Sequence, residues 1–93
     1  MTQDERLGEI RRRIDAIDSD LLHLLSERAR CAQQVAQVKQ AAGETTFYRP
    51  EREAQVLRRV MADNPGPLPA DAVAHLFREV MSACLALERP LTV

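Results

Sequence analysis

Apolar side chains recur every three and four residues along the first 40 positions of the chain. The repeat occupies two alternating positions: Leu7, Ile14, Leu21 and Val35 on one, and Ile10, Ile17, Leu24, Cys31 and Val38 on the other. No proline or glycine interrupts it between Gly8 and Gly43. A heptad of this length predicts one helix over about residues 5–41, roughly 55 Å long, where an ordinary globular helix has about 11–12 residues.

Breaks in the pattern predict two shorter helices. Gly43 ends the long helix, and Pro50 is a favourable first residue for a second helix over about 50–63. The Asn64–Pro67 segment is a strong break, after which apolar residues at helical spacing predict a third helix over about 69–88. The fold class is therefore all-α, with three helices in a single domain over residues 1–93.

The lengths of these helices predict a partner chain. Helices of about 14 and 20 residues span about 21 and 30 Å, so neither covers the apolar stripe of the long helix. A domain this small buries only about 60–65% of its unfolded surface, so it usually needs a disulfide or a partner chain for stability. Cys31 and Cys84 lie on apolar stripes in a sequence without a signal peptide, which favours packed, reduced thiols in a cytoplasmic protein. We therefore expect an intertwined homodimer.

Charge and hydropathy exclude two classes of partner. Thirteen Lys and Arg residues against 14 Asp and Glu residues give a net charge of −1, which leaves no excess for binding nucleic acid. The basic run Arg11–Arg13 is followed closely by Asp15, Asp18 and Asp20. No stretch approaches the roughly 18 apolar residues of a membrane span. We expect neither nucleic acid nor a membrane as a partner.

Charged residues interrupt the apolar stripes of the predicted helices. Arg28 occupies a heptad position that is otherwise apolar, and it either pairs with a glutamate such as Glu27 or Glu53 or binds an anionic ligand. Lys39 lies three turns later on nearly the same face, either as a solvated cation near the helix end or as a second ligand contact.

The two shorter helices carry similar interruptions. Arg52 and Glu53 precede Val56 and Leu57 by one turn, as a surface ion pair or as part of a site. Glu88 continues the stripe of the third helix, as a frayed terminus or as a carboxyl group in a pocket. No spacing typical of a nucleophilic triad or of metal ligands accompanies these charges. Together they are typical of a site for a small dianion, with no metal.

Segments 10–18, 21–28, 35–39 and 49–53 (IRRRIDAID, LLHLLSER, VAQVK and RPERE) resemble the all-α chorismate mutases. Segment 82–88 (SACLALE), followed by 89–93 (RPLTV), resembles the mutase domain of bifunctional chorismate mutase/prephenate dehydratases. The resemblance implies that residues 89–93 are the start of a linker to a dehydratase domain. It also implies an intertwined dimer that converts chorismate to prephenate without a cofactor, in the biosynthesis of phenylalanine and tyrosine.

The resemblance implies roles for named residues. Arg28 and Arg11 would bind the two substrate carboxylates, Lys39 would donate to the ether oxygen, Glu53 would accept from the ring hydroxyl, and Arg52 would support a carboxylate. Arg11 and Arg28 lie 17 residues apart (28 − 11) on one helix, about 25 Å, so they cannot bind one small ligand within a chain. We expect Arg11 to serve the partner's site.

Three residues depart from the family pattern. Glu88 stands where many members have glutamine, and a carboxyl group donates to the ether oxygen only when it is protonated. Cys84 replaces a hydroxyl residue, so its binding contribution is weaker. Arg49 stands where other members have an aspartate, an exchange that a substrate contact through the backbone N–H tolerates and a side-chain contact does not.

Two alternative functions remain. One is an isochorismate-pyruvate lyase on the same scaffold, and the other is a non-catalytic dimerisation module in which Arg28 only fixes the register of the helices.

Overall fold

The computed structural model describes residues 1–44 and 49–88. These ranges contain three helices, α1 (Gln3–Ala41), α2 (Pro50–Asp63) and α3 (Ala70–Glu88), and no strand. The prediction of an all-α fold with one long and two shorter helices is confirmed. The predicted linker at 89–93 lies outside the described residues.

The first turn of α1 is capped by a side chain. The Thr2 hydroxyl accepts a hydrogen bond from the backbone N–H of Glu5 over 3.1 Å, and Asp4 and Glu5 place negative charge at the positive end of the helix dipole. The helix therefore begins at Gln3, two residues before the predicted start. It ends at Ala41, and Gly43 follows with φ 75°, a conformation that glycine adopts without strain.

A six-residue connection turns the chain between α2 and α3. The Asn64 side-chain amide donates to the Leu68 carbonyl over 2.7 Å, and its oxygen accepts from the Gly66 N–H over 3.1 Å. The Pro69 carbonyl accepts from the N–H of Ala72, so α3 begins at Ala70 rather than at residue 69. Because the connection is short and the two helices pack together, α2 and α3 form an antiparallel hairpin.

The core of the single chain is small. α3 packs against both α1 and α2, and the buried apolar residues in the described ranges are Ala36, Val56, Ala74 and Cys84. None of them is a large side chain. Burying Ala, Val and Cys removes little apolar surface from water, so the core contributes modestly to the free energy of unfolding.

The first half of α1 projects beyond this core. From Met1 to Leu25 every residue is exposed except Gly8, which is half-buried, and the molecule is 61 Å long. The large apolar side chains of this half form an exposed seam, 37–60% accessible: Leu7, Ile10, Ile14, Ile17, Leu21 and Leu24. The apolar stripe that the heptad predicts thus exists, and one chain leaves it in water along its whole length, because Cys31, Val35 and Val38 further along α1 are exposed as well.

The sequence expectation on the two cysteines is met in part. Both cysteines are free thiols, Cys84 is buried as expected, and Cys31 is exposed in the single chain, contrary to the expectation of a packed thiol. Cys31 lies on the long helix at a position that α2 and α3 leave open to solvent. No helix in the described ranges has the length and apolar character needed to cross a bilayer.

Candidate active site

A cavity of about 470 Å³ lies between the three helices. Its charged lining residues are Arg28, Lys39, Arg49, Arg52, Glu53, Arg59 and Glu88. Its other lining residues are Cys31, Ala32, Val35, Val56, Phe77, Met81, Cys84 and Leu85. Small-molecule sites usually combine an apolar wall with polar groups that orient the ligand, and here nearly half of the described lining residues are charged.

Seven of the eight residues predicted for the site line this one cavity: Arg28, Lys39, Arg49, Arg52, Glu53, Cys84 and Glu88. The exception is Arg11, which lies on the exposed half of α1. Three helices that are separate in sequence thus bring the predicted charged groups together.

Helix periodicity explains why α1 contributes to the cavity. Arg28, Ala32, Val35 and Lys39 follow one another at intervals of four, three and four residues, so they share one face of the helix. Arg28 is half-buried there. Within residues 1–44 and 49–88 its guanidinium pairs with neither Glu27 nor Glu53. The single chain therefore gives no support to a purely structural pairing of Arg28.

One end of the cavity is fixed by a short chain of contacts. The Lys39 carbonyl accepts from the Glu44 N–H over 2.8 Å, and the Glu44 carboxylate is ion-paired with the guanidinium of Arg49. Arg49 is the residue before α2 and accepts from the Glu53 N–H through its carbonyl. The last turn of α1 is thereby tied to the first turn of α2.

The cavity consequently has two distinct ends. Because α2 and α3 are antiparallel, the first turn of α2 lies beside the last turns of α3, where Cys84 and Glu88 line the wall. We call this end, with Lys39, Glu53 and Glu88, the Lys39 end. Arg28 precedes Lys39 by 11 residues (39 − 28), so it lies about 16 Å along α1. We call the opposite end the Arg28 end.

The charges of the lining favour a dianionic ligand. Among the lining residues that the structure describes, four arginines and Lys39 supply five positive charges, and Glu53 and Glu88 supply two negative charges, a formal excess of three. Arg52 donates to the Gln55 side-chain oxygen over 3.0 Å, which restrains its guanidinium near the cavity. The described residues contain no group of three or more side chains able to hold a metal ion. The arrangement can bind and orient an anion and can stabilise negative charge that develops on it.

Residues 10–89 match the family model described as chorismate mutase type II. The chain belongs to this family. The bifunctional chorismate mutase/prephenate dehydratases of Pseudomonas aeruginosa and Stutzerimonas stutzeri are 58% and 56% identical to it over its whole length. The chain spans only about a quarter (27%) of the length of these curated relatives.

Solved structures of the family have the same fold. Chorismate mutase from Thermus thermophilus (Form II) is 36% identical, with a TM-score of 0.86 over 89% of this chain and 93% of that one. Chorismate mutase from Helicobacter pylori in complex with prephenate is 28% identical, with a TM-score of 0.82 over 90% of each chain. The predicted family resemblance is confirmed.

Sequence reasoning did not include Arg59 in the site. Arg59 follows Arg52 by seven residues and Val56 by three, a spacing that places all three on one face of α2. That spacing was available in the sequence. It was not decisive there because the adjacent Arg58 has the same chemistry. Only the structure shows that Arg59 lines the cavity and that Arg58 does not.

Proposed function

We propose that this chain is a chorismate mutase, which isomerises chorismate to prephenate. The observation that carries the proposal is the convergence of Arg28, Lys39, Arg52, Glu53 and Glu88 on one net-positive cavity, in a chain of the chorismate mutase type II family. The related enzyme from Helicobacter pylori, which has the same fold, was solved in complex with prephenate.

The reaction needs no covalent help from the protein. In this Claisen-type rearrangement the ether C–O bond breaks while a new C–C bond forms within the same molecule. Catalysis then depends on holding the dianion in a compact conformer and on stabilising the negative charge that grows on the ether oxygen. We therefore expect activity without a metal or another cofactor.

The two ends of the cavity divide these tasks. At the Arg28 end, the planar guanidinium of Arg28 binds a substrate carboxylate with two parallel hydrogen bonds. At the Lys39 end, the Lys39 ammonium donates to the ether oxygen, and Glu53 accepts a hydrogen bond from the ring hydroxyl. Arg52 supports the nearby carboxylate. Cys84 contributes a weak donor, and Arg49 contributes its backbone rather than its side chain, which pairs with Glu44.

The proposed role of Glu88 requires that its carboxyl group carries a proton. A carboxyl group donates a hydrogen bond to the ether oxygen only in its protonated form, and its ionised form repels the developing oxyanion. The protonated fraction falls as pH rises. We therefore propose that Glu88 is a catalytic donor in its acid form and that the activity falls with rising pH.

The complete site requires a second copy of the chain. The exposed seam on α1 offers apolar area to a partner helix, and Arg11 lies on the same exposed half of α1. An intertwined homodimer buries the seam and brings Arg11 of one protomer to the cavity of its partner. In this proposal dimerisation is a condition of activity as well as of stability.

Turnover of chorismate tests the function directly. Purified protein is incubated with chorismate, and the loss of substrate and the appearance of prephenate are followed by NMR. Arg28→Ala should lower kcat/KM by roughly a hundredfold, since it removes a charge-assisted contact, whereas Arg30→Ala on the exposed side of α1 should stay within about twofold. A folded dimer without turnover refutes the mutase, and release of pyruvate from isochorismate would identify the lyase instead.

A further inference from the structure

We propose that Arg59 is a further substrate-binding residue, which joins Arg28 in holding one substrate carboxylate at the Arg28 end of the cavity. This inference rests on the proposed function, because it assigns a new contact within the same site. It is carried by the position of Arg59 on α2, by the distribution of charge in the cavity and by the contrast with Arg58.

The position of Arg59 follows from the helical hairpin. Arg59 lies seven residues after Arg52 (59 − 52), which is about 10 Å along α2 and away from the Lys39 end. Since α2 and α3 are antiparallel, this level of α2 lies beside the first half of α3, where Phe77 lines the wall. Arg28 lies at the same end on α1, so two helices bring two guanidinium groups to one end of the cavity.

The charges at this end are not balanced by the lining. Glu53 and Glu88, the two carboxylates among the described lining residues, both belong to the Lys39 end. Within residues 1–44 and 49–88, neither Arg28 nor Arg59 has an ion pair or a hydrogen bond to another side chain. Two positive charges that face one end of a cavity repel each other, and a carboxylate bound between them attracts both and offsets that repulsion. A planar carboxylate can accept from the forked N–H groups of two arginines.

An exposed arginine on a helix is commonly a solvated surface residue, and Arg58 serves as the comparison. Arg58 and Arg59 are adjacent on α2, both are exposed, and only Arg59 lines the cavity. A general effect of positive charge would therefore be equal for both. A contact with substrate would belong to Arg59 alone.

The experiment measures kcat and KM for chorismate in the wild-type protein and in Arg59→Gln, Arg59→Lys and Arg58→Gln. We expect Arg59→Gln to raise KM by roughly fivefold to tenfold, with kcat within about twofold, because it removes one charged hydrogen bond to the bound substrate. Arg59→Lys restores the charge without the fork and should recover part of the loss. Arg58→Gln should leave both constants within about twofold, since its charge is screened by solvent.

Salt dependence gives a second readout. The KM ratio of Arg59→Gln to wild type should shrink as ionic strength rises from about 0.05 M to about 0.5 M, because exposed charges are screened over shorter distances at high salt. Equal KM values for Arg59→Gln and Arg58→Gln at low salt, or a loss confined to kcat, would overturn the inference. If Arg59→Gln also melts at a lower temperature, recovery of KM by Arg59→Lys supports the contact and no recovery overturns it.

The proposed function can fail separately. Wild-type protein without turnover refutes the mutase, and the dissociation constants of prephenate, measured by calorimetry, then decide on Arg59 without any catalytic step. A dissociation constant that is raised in Arg59→Gln and unchanged in Arg58→Gln supports the proposed contact between Arg59 and the substrate carboxylate. Equal constants, or no binding of prephenate to any of the proteins, overturn it.

Discussion

Mixing two inactive variants can test whether Arg11 serves the site of the partner chain. Arg11 and Arg28 lie 17 residues apart (28 − 11) on the continuous helix α1, a separation of about 25 Å. An arginine side chain is far shorter than this distance. The two guanidinium groups of one chain therefore cannot bind the same small substrate, whereas those of two protomers can.

The perturbation is the pair of substitutions Arg11→Ala and Arg28→Ala, made in separate chains. Removing one partner of a charged contact at a binding site costs about 2–5 kcal/mol, so each variant alone should lose at least roughly thirtyfold in kcat/KM. Arg12→Ala is the matched control. Arg12 follows Arg11, is exposed, and lies on the side of α1 away from the exposed seam. It should keep kcat/KM within about twofold of wild type.

The assay refolds an equimolar mixture of the two variants and measures kcat per protomer. Random pairing makes half of the dimers mixed, and each mixed dimer has one site with both arginines and one site with neither. The mixture should therefore recover about a quarter of wild-type activity. Sedimentation and mass spectrometry would be used to check that mixed dimers form. Mixed dimers without recovered activity, or a fully active Arg11→Ala variant, would refute the reasoning.

Three further outcomes follow from the exposed seam, from Glu88 and from the surface ion pair. Ile17→Asp replaces an apolar side chain that is 53% exposed in the single chain. Because a dimer contains this side chain twice, the dimer dissociation constant measured by sedimentation should rise at least roughly thirtyfold. An unchanged constant would contradict a role for the seam in dimerisation. Glu88→Gln should flatten the fall in kcat/KM that we expect for the wild type with rising pH, and a flat wild-type profile would remove Glu88 as the donor. Glu44→Ala breaks the ion pair with Arg49, whose side chains are 37% and 46% exposed, and urea unfolding should register a change below about 1 kcal/mol; a larger loss would mean that this pair holds α1 against α2.

The helices were predictable because their signals are local. A long heptad without proline or glycine between Gly8 and Gly43 predicted α1, and Pro50 and the Asn64–Pro67 segment predicted the boundaries of α2 and α3 closely. The start of α1 was placed two residues late because the heptad begins only at Leu7. The capping pair of Thr2 and Glu5, a threonine three residues before a glutamate, was the signal that would have corrected it.

The site was predictable where a charged residue breaks an apolar stripe. Arg28 interrupts the heptad, so its anomaly is visible without a structure. Arg59 shares a helix face with Arg52 and Val56, but it does not break an apolar stripe, and the adjacent Arg58 has the same chemistry. Which of the two lines the cavity depends on how α2 lies against α3, and that packing is a long-range property of the chain.

The small core has a consequence for the newly made protein. Among the described residues one chain buries only Ala36, Val56, Ala74 and Cys84, and the six large side chains of the exposed seam remain in water until a second copy arrives. In the proposed dimer, folding is completed only by an encounter between two molecules, so the apparent stability rises with abundance. A cell that makes few copies therefore prolongs the time each chain is open to aggregation and proteolysis. Expression level then sets the fraction of chains that ever become enzyme.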